Sequence, residues 1–261
     1  MAINKAKIFT VASVKGGTGK TTTVLNLAGI FSEQGKKVLI IDLDLYGSAI
    51  AASLNVNNEI NLYNVISDLN NNCFEMLENY IQSYRENLDV IPAPNDPRLA
   101  NKISSKYISI ILARAELKYD VILIDTNHYL DEINLVAYDY SDEILFVMTN
   151  DPIDLKSMKT MVSILKDMER DNYLIILNNA KDKQRDYFTK YDIKSIIKDN
   201  IDYIIPNSFY IKNIDKYVLD GEILTLNKRI RNSHRKAITN FESLANNLIK
   251  KTKKEERDVT E

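Results

Sequence analysis

Eight consecutive residues, Lys15-Gly16-Gly17-Thr18-Gly19-Lys20-Thr21-Thr22, restrict what this chain can fold into more than any other stretch. They follow an apolar run at 8–14 that reads as a buried strand, and they open a helical pattern over 20–34. The chain has only seven glycines, and three of them fall here, so the backbone at this junction needs freedom that other residues lack. A glycine-rich turn from strand to helix aims several backbone N–H groups at one point, and the helix adds the positive end of its dipole. Phosphate suits such a cradle. Gly16, Gly17, Thr18, Gly19, Lys20, Thr21 and Thr22 are therefore candidate nucleotide contacts. Lys20 would reach the β- and γ-phosphates, and the Thr21 hydroxyl would hold Mg²⁺.

Two further segments end an apolar run in carboxylates. In Val38-Leu39-Ile40-Ile41-Asp42-Leu43-Asp44 the four leading residues suit a strand buried on both faces, and the acids fall at its carboxyl end. In Tyr119-Asp120-Val121-Ile122-Leu123-Ile124-Asp125-Thr126 the pattern repeats, and Asp125 fits the Walker B position that holds Mg²⁺ through water. In a doubly wound sheet both strand ends lie beside the phosphate loop, where carboxylates order metal-bound waters and orient an attacking one.

Apolar runs at 8–14, 38–42, 88–91, 121–125, 144–149, 174–178 and 203–205 alternate with helical patterns at 20–34, 104–118, 155–169 and 190–198. Helices around 62–69 and 74–84 complete the reading. The alternation predicts an α/β fold with a doubly wound, mainly parallel sheet. A single nucleotide-binding domain over 1–249 is expected, followed by a charged, disordered tail over 250–261. With 261 residues and 45% hydrophobic content, one sizeable core can form. The lone Cys73 excludes an internal disulfide or a cysteine-rich metal site, and His128 and His234 lack metal-ligand spacing. A net charge of −2 gives no global field for nucleic acid. No apolar run approaches a membrane span, and the N-terminus lacks a signal peptide's apolar stretch, so a cytoplasmic protein is expected. Pro92, Pro94 and Pro97 end a strand and stiffen the loop after it, either beside the ligand or as a plain connector.

The loop departs from the general phosphate-loop pattern, because Val14 stands where glycine is usual and Lys15 precedes the glycine pair. That extra lysine is the mark of the deviant Walker A loop, and the chain resembles the ParA/MinD family of dimerising ATPases. The resemblance implies ATP and Mg²⁺ as ligands, with Asp42 supporting the metal shell and Asp44 activating water. It implies that Lys15 reaches across an ATP-dependent homodimer to the partner's nucleotide, much as an arginine finger does. Lys15, Lys20 and Asp44 thus form the expected catalytic set. The family's later strand ending in asparagine and its base-packing loop correspond to Asn178, Pro206 and Asn207, expected at adenine. Asn178 is followed by Asn179-Ala180-Lys181, unlike a guanine-specific Asn-Lys-x-Asp segment, which favours ATP over GTP. Where the family usually has proline after Asp125, this chain has Asn127, either a γ-phosphate contact or a turn residue.

Within the family, Leu45-Tyr46-Gly47 after Asp44, the Pro92-Ala93-Pro94 segment, and Asp131-Glu132 followed by Asp142-Glu143-Ile144-Leu145-Phe146-Val147 look most like the pilus-assembly branch called CpaE or TadZ. That branch normally begins with a receiver-like domain, and none is expected here because the loop starts at residue 15. A switch that positions a pilus or secretion machine through protein partners, one of which stimulates a slow hydrolysis, is the expectation this brings. A partitioning ATPase binding DNA non-specifically is the alternative. Lys228, Arg229, Arg231, His234, Arg235 and Lys236 would supply its basic stripe, or simply start a solvated helix. A MinD-like membrane-cycling regulator is the third reading. Ala237, Ile238, Phe241, Leu244, Ala245, Leu248 and Ile249 form a helical stripe, but the opposite face is nearly uncharged, so packing on the sheet is expected rather than direct membrane binding.

Overall fold

In the computed structural model, which describes residues 5–180 and 187–258, an eight-stranded sheet carries helices on both faces. The chain runs through β1 (Lys7–Ala12), α1 (Lys20–Glu33), β2 (Val38–Leu43), α2 (Ala49–Leu54) and α3 (Leu62–Asn70). It continues through β3 (Gln82–Arg85), β4 (Leu88–Ile91), α4 (Ser105–Ala115), β5 (Val121–Thr126), α5 (Glu132–Tyr140), β6 (Glu143–Met148) and α6 (Pro152–Asp167). The last part holds β7 (Tyr173–Asn178), α7 (Lys190–Ile197), β8 (Tyr203–Ile205), α8 (Ile214–Leu219), α9 (Lys228–Ser233) and α10 (Arg235–Asp258). Strand order is β3-β4-β2-β5-β1-β6-β7-β8, and every pairing is parallel except β3 with β4.

The interior strands read as unbroken Val/Ile/Leu runs because helices cover both faces. Alternate residues feed separate cores. Phe9, Val11, Ile40, Leu123 and Leu145 pack with Leu27 and Phe31 of α1 and with Ile238 and Phe241 of α10. Ile8, Leu39, Ile41, Ile122 and Ile124 face Val65 of α3 and Ile108 and Leu112 of α4. Ile144, Phe146 and Ile175 meet Met158 of α6 and Ile193 of α7. Each such fully buried side chain contributes about 1.5–3 kcal/mol by leaving water. The stripe of α10 lies inside the first of these cores, as the packing expectation requires.

Two segments depart from the sequence reading. The helix expected over 74–84 is a short 3-10 turn, Leu77–Tyr80, followed by β3, which forms a hairpin with β4. Gln82 and Tyr84 are half-buried while Ser83 and Arg85 are exposed, a strand alternation, and Asn87 in the hairpin turn takes a left-handed φ of 62°. Where a disordered tail was expected from residue 250, the backbone carries α10 on to Asp258, through Lys, Arg and Glu that favour helix. Residues 259–261 of that tail, and Lys181, lie outside the described residues.

Candidate functional site

The phosphate loop bridges β1 and α1 at the carboxyl edge of the sheet. Gly17 and Gly19 both take positive φ, 72° and 102°, a conformation that side chains with a Cβ resist. Gly19 has a second reason to lack a side chain: a Cβ there would lie 2.5 Å from the Asn178 amide nitrogen. That amide donates to the Thr18 carbonyl at 2.8 Å, while Asn178 Oδ1 accepts from the Ala180 N–H at 3.0 Å. The end of β7 is thus clamped onto the loop. Lys20 is buried, and its ammonium donates to Ser13 Oγ at 3.0 Å; Ser13 in turn donates to the Lys15 carbonyl at 2.7 Å. Burial lowers the Lys20 pKa, and nearby Asp125, Asp44 and Asp154 oppose the shift.

The acids gather on the other side of the loop. Asp42 and Asp125 pair in register on neighbouring strands β2 and β5, and both are fully buried. Burial pushes both carboxyls above their usual range, and their mutual repulsion adds to it at Asp42. Asp42 Oδ1 accepts from the Asp44 N–H at 3.0 Å, tying the strand end to the loop beyond it. Asp44 sits just past β2, half-buried, and accepts from Gly47 N–H at 3.2 Å. Thr21 donates its hydroxyl to Asp125 Oδ2 at 2.6 Å, while Asp125 Oδ1 is buried without a hydrogen-bond partner among the described residues. Two crowded carboxylates, a hydroxyl and an unsatisfied buried oxygen form a hard-oxygen set that fits a divalent cation such as Mg²⁺. The proline segment braces this region: Ser48 donates to the Ala93 carbonyl at 3.3 Å and Tyr46 to Asn101 Oδ1 at 2.9 Å.

Lys15 folds back within its own chain. Its ammonium pairs with Asp151 Oδ1 at 2.9 Å, and this contact lowers the Asp151 pKa. Asp151 caps α6, accepting from Ile153 and Asp154 N–H groups just ahead of Pro152 at the helix start. Asn127 is a turn residue. Its Oδ1 accepts from Tyr129 N–H at 2.7 Å and from the buried Asn134 amide at 2.8 Å, and its Nδ2 donates to Asp131 at 3.0 Å. Both amide atoms take part in the turn, Nδ2 through one of its two N–H groups.

On the β7–β8 side a cavity of about 240 Å³ adjoins the loop at Gly17, Thr18, Gly19, Thr22 and Thr23. Asn178 lines it, but Pro206 and Asn207 do not: Pro206 ends β8, Asn207 turns to solvent, and the wall is built by Ile205, Phe209, Tyr210 and Ile211. Ile214, Leu224 and Phe241 close it. Sequence reasoning missed these residues, which share no motif. It also missed Ser13 and Asp151, although Asp-Pro at a helix start is a readable cap signal. Of the basic run, Arg231 is spent on the Thr225 carbonyl and Glu242, while Lys228, Arg229, Arg235 and Lys236 are exposed. Among the described residues no helix is long and apolar enough to cross a membrane, and no cluster of His, Cys, Asp and Glu forms a separate metal site.

The AAA_31 family model, described as an AAA domain, matches residues 6–179. The septum site-determining protein MinD of Helicobacter pylori is 28% identical over 179 residues, covering 66% of each chain. MinD of Pyrococcus horikoshii OT3, solved with Mg-ADP, superposes with a TM-score of 0.74 at 25% identity over 92% of this chain and 94% of that one. The ParA family ATPase of Chlorobium tepidum TLS shares the fold, with a TM-score of 0.78 at 20% identity over 92% and 98%. The chain spans 49% to 75% of the length of three curated relatives it matches. With a deviant phosphate loop, strand-end acids and this architecture, the chain belongs to the AAA_31 family, within the ParA/MinD group of P-loop ATPases.

Proposed function

We propose that this chain is an ATP-hydrolysing dimerisation switch that positions a cellular machine. The observation that carries this reading is the placement of Lys20, Thr21, Asp42, Asp44 and Asp125 around one phosphate loop that begins with Lys15. Gly16 through Thr22 would cradle the phosphates with backbone N–H groups, and the cavity at Phe209–Ile211 would take the base. Thr21, Asp42 and Asp125 would hold Mg²⁺, which when bound neutralises charge on the phosphoryl oxygens. Lys20 would turn from Ser13 to the β- and γ-phosphates. Asp44 would orient a water and take its proton as the water oxygen bonds to the γ-phosphorus and the β–γ bridge breaks, leaving ADP and phosphate.

Lys15 would exchange Asp151 for the nucleotide of a second copy, so that two chains enclose their ATP molecules. Hydrolysis would remove those contacts and loosen the dimer. Phosphate release should follow saturation kinetics with ATP and fall by about 10²–10³ in Lys20→Ala. An unchanged rate in that variant contradicts the site.

For cargo, the segments at Leu45-Tyr46-Gly47 and Pro92-Ala93-Pro94 support a protein-scaffold organiser of the CpaE/TadZ kind. The exposed Lys228, Arg229, Arg235 and Lys236 favour a second reading, non-specific DNA binding by the dimer. Fluorescence anisotropy of a non-specific duplex with Asp44→Ala protein and ATP-Mg²⁺ separates them. Salt-sensitive binding lost in Lys15→Gln supports the DNA reading, and no binding by a dimer leaves the protein scaffold.

A further inference from the structure

The loop after β5 carries one side chain that the site described above leaves unused. His128 is exposed, and its imidazole lies against Gly16: a Cβ built on that glycine would be 3.7 Å from both ring atoms Nδ1 and Cε1. The ring lies tilted against Tyr129, with centroids 4.1 Å apart and planes at 36°. Its position is set from below by the Asn127, Asp131 and Asn134 network, which closes the turn on either side of it. Neither ring nitrogen has a hydrogen-bond partner among the described residues.

The polarity of the site says which part of a nucleotide His128 would meet. The base cavity adjoins the loop from the β7–β8 side, and the acids stand on the β2–β5 side. A nucleotide seated in that cavity with its phosphates on the loop runs from the β7 edge toward β5. Its phosphoryl terminus would then meet the Lys15-Gly16 bend, against which the imidazole lies, and a diphosphate, one phosphoryl group shorter, would fall short of it.

We propose that His128 donates a ring N–H to the terminal phosphate of a bound nucleoside triphosphate and so sets the preference for triphosphate over diphosphate. This rests on the ATP reading given above. The imidazole is a donor on a pinned loop, and a hydrogen bond to a charged oxygen is stronger than a neutral one.

The test is isothermal titration calorimetry of the full chain with Mg²⁺-AMPPNP and with Mg²⁺-ADP, at concentrations where sedimentation shows a monomer. Wild type, His128→Ala and His128→Gln are compared. His128→Ala is expected to weaken AMPPNP by roughly tenfold or more while ADP stays within about twofold. His128→Gln, which keeps an N–H donor, should recover most of the loss. Equal weakening of both nucleotides would make the ring a structural prop for Gly16 and overturn the inference, as would no change in either. A wild type that binds neither nucleotide removes the ATP reading and this inference together. A wild type that prefers AMPPNP, with His128→Ala preferring it equally, removes this inference alone.

Discussion

The two halves of the proposed nucleotide site are built from opposite materials. The half at β1, β2 and β5 is buried charge: Lys20, Asp42 and Asp125 are almost wholly withdrawn from water, and the acids crowd one another. The half at β7 and β8 is an apolar cavity walled by Ile205, Phe209, Ile211 and Phe241, with Asn178 and the loop threonines at its polar edge. The difference teaches where each task is lodged. Charge held in place before the ligand arrives can act on a phosphoryl group, because its desolvation is already met by folding. An apolar wall binds without acting on bonds, and it treats substrate and product alike.

Substitutions in the two halves should therefore separate turnover from affinity. The largest effect is expected at Asp44→Ala, where hydrolysis should fall by roughly 10²–10⁴. Its ATP affinity should hardly move, as a phosphate-release assay beside a binding titration would show. Turnover near the wild-type rate would break the assignment of chemistry to this half. Gly19→Ala comes next, since it strains a φ of 102° and drives a methyl group against Asn178. A loss of about 1–3 kcal/mol in stability is expected, together with nucleotide binding, read by thermal melts with and without ADP.

Asn127→Ala sharpens the comparison differently, because it removes a turn and no charge. It leaves the buried Asn134 amide and the Asp131 carboxylate short of a partner. The cost should be about 1–3 kcal/mol, a fall in Tm of several degrees. The smallest effect belongs to the apolar half. Ile211→Ala should weaken ATP and ADP equally, by roughly fivefold, and leave the rate at saturation unchanged. A change in the saturated rate would contradict the division of labour.

The same contrast explains what could be read from the amino-acid order. The charged half is written in local motifs: its loop is one octapeptide, and Asp42 and Asp125 each end a run of apolar residues, so the pattern brings them to one sheet edge. All seven strands inferred from apolar runs are present, because parallel strands buried on both faces leave an unbroken signature. The apolar half is assembled from residues 205–241 with no shared motif, and an Ile or Phe there looks like any core residue. That is why Pro206 and Asn207 were expected at the base while their neighbours Ile205, Phe209, Tyr210 and Ile211 line the cavity. Asn178 was expected at adenine, and its nitrogen holds the Thr18 carbonyl, a long-range contact that spacing cannot reveal. Strand β3 was hidden for a different reason, as an edge strand of mixed polarity whose neighbours also suit a helix. The Lys15–Asp151 pair joins residues far apart in the chain and needed the fold to become visible.

Light scattering after size exclusion tests the central claim most directly, with Asp44→Ala protein and its Lys15→Gln double variant run with ATP-Mg²⁺ and with ADP-Mg²⁺. The account predicts twice the 29.9 kDa chain mass for Asp44→Ala with ATP-Mg²⁺. It predicts the single-chain mass with ADP-Mg²⁺, and again when Lys15 is replaced although ATP still binds. A mass that ignores the nucleotide, or a dimer that forms equally well without Lys15, would contradict it.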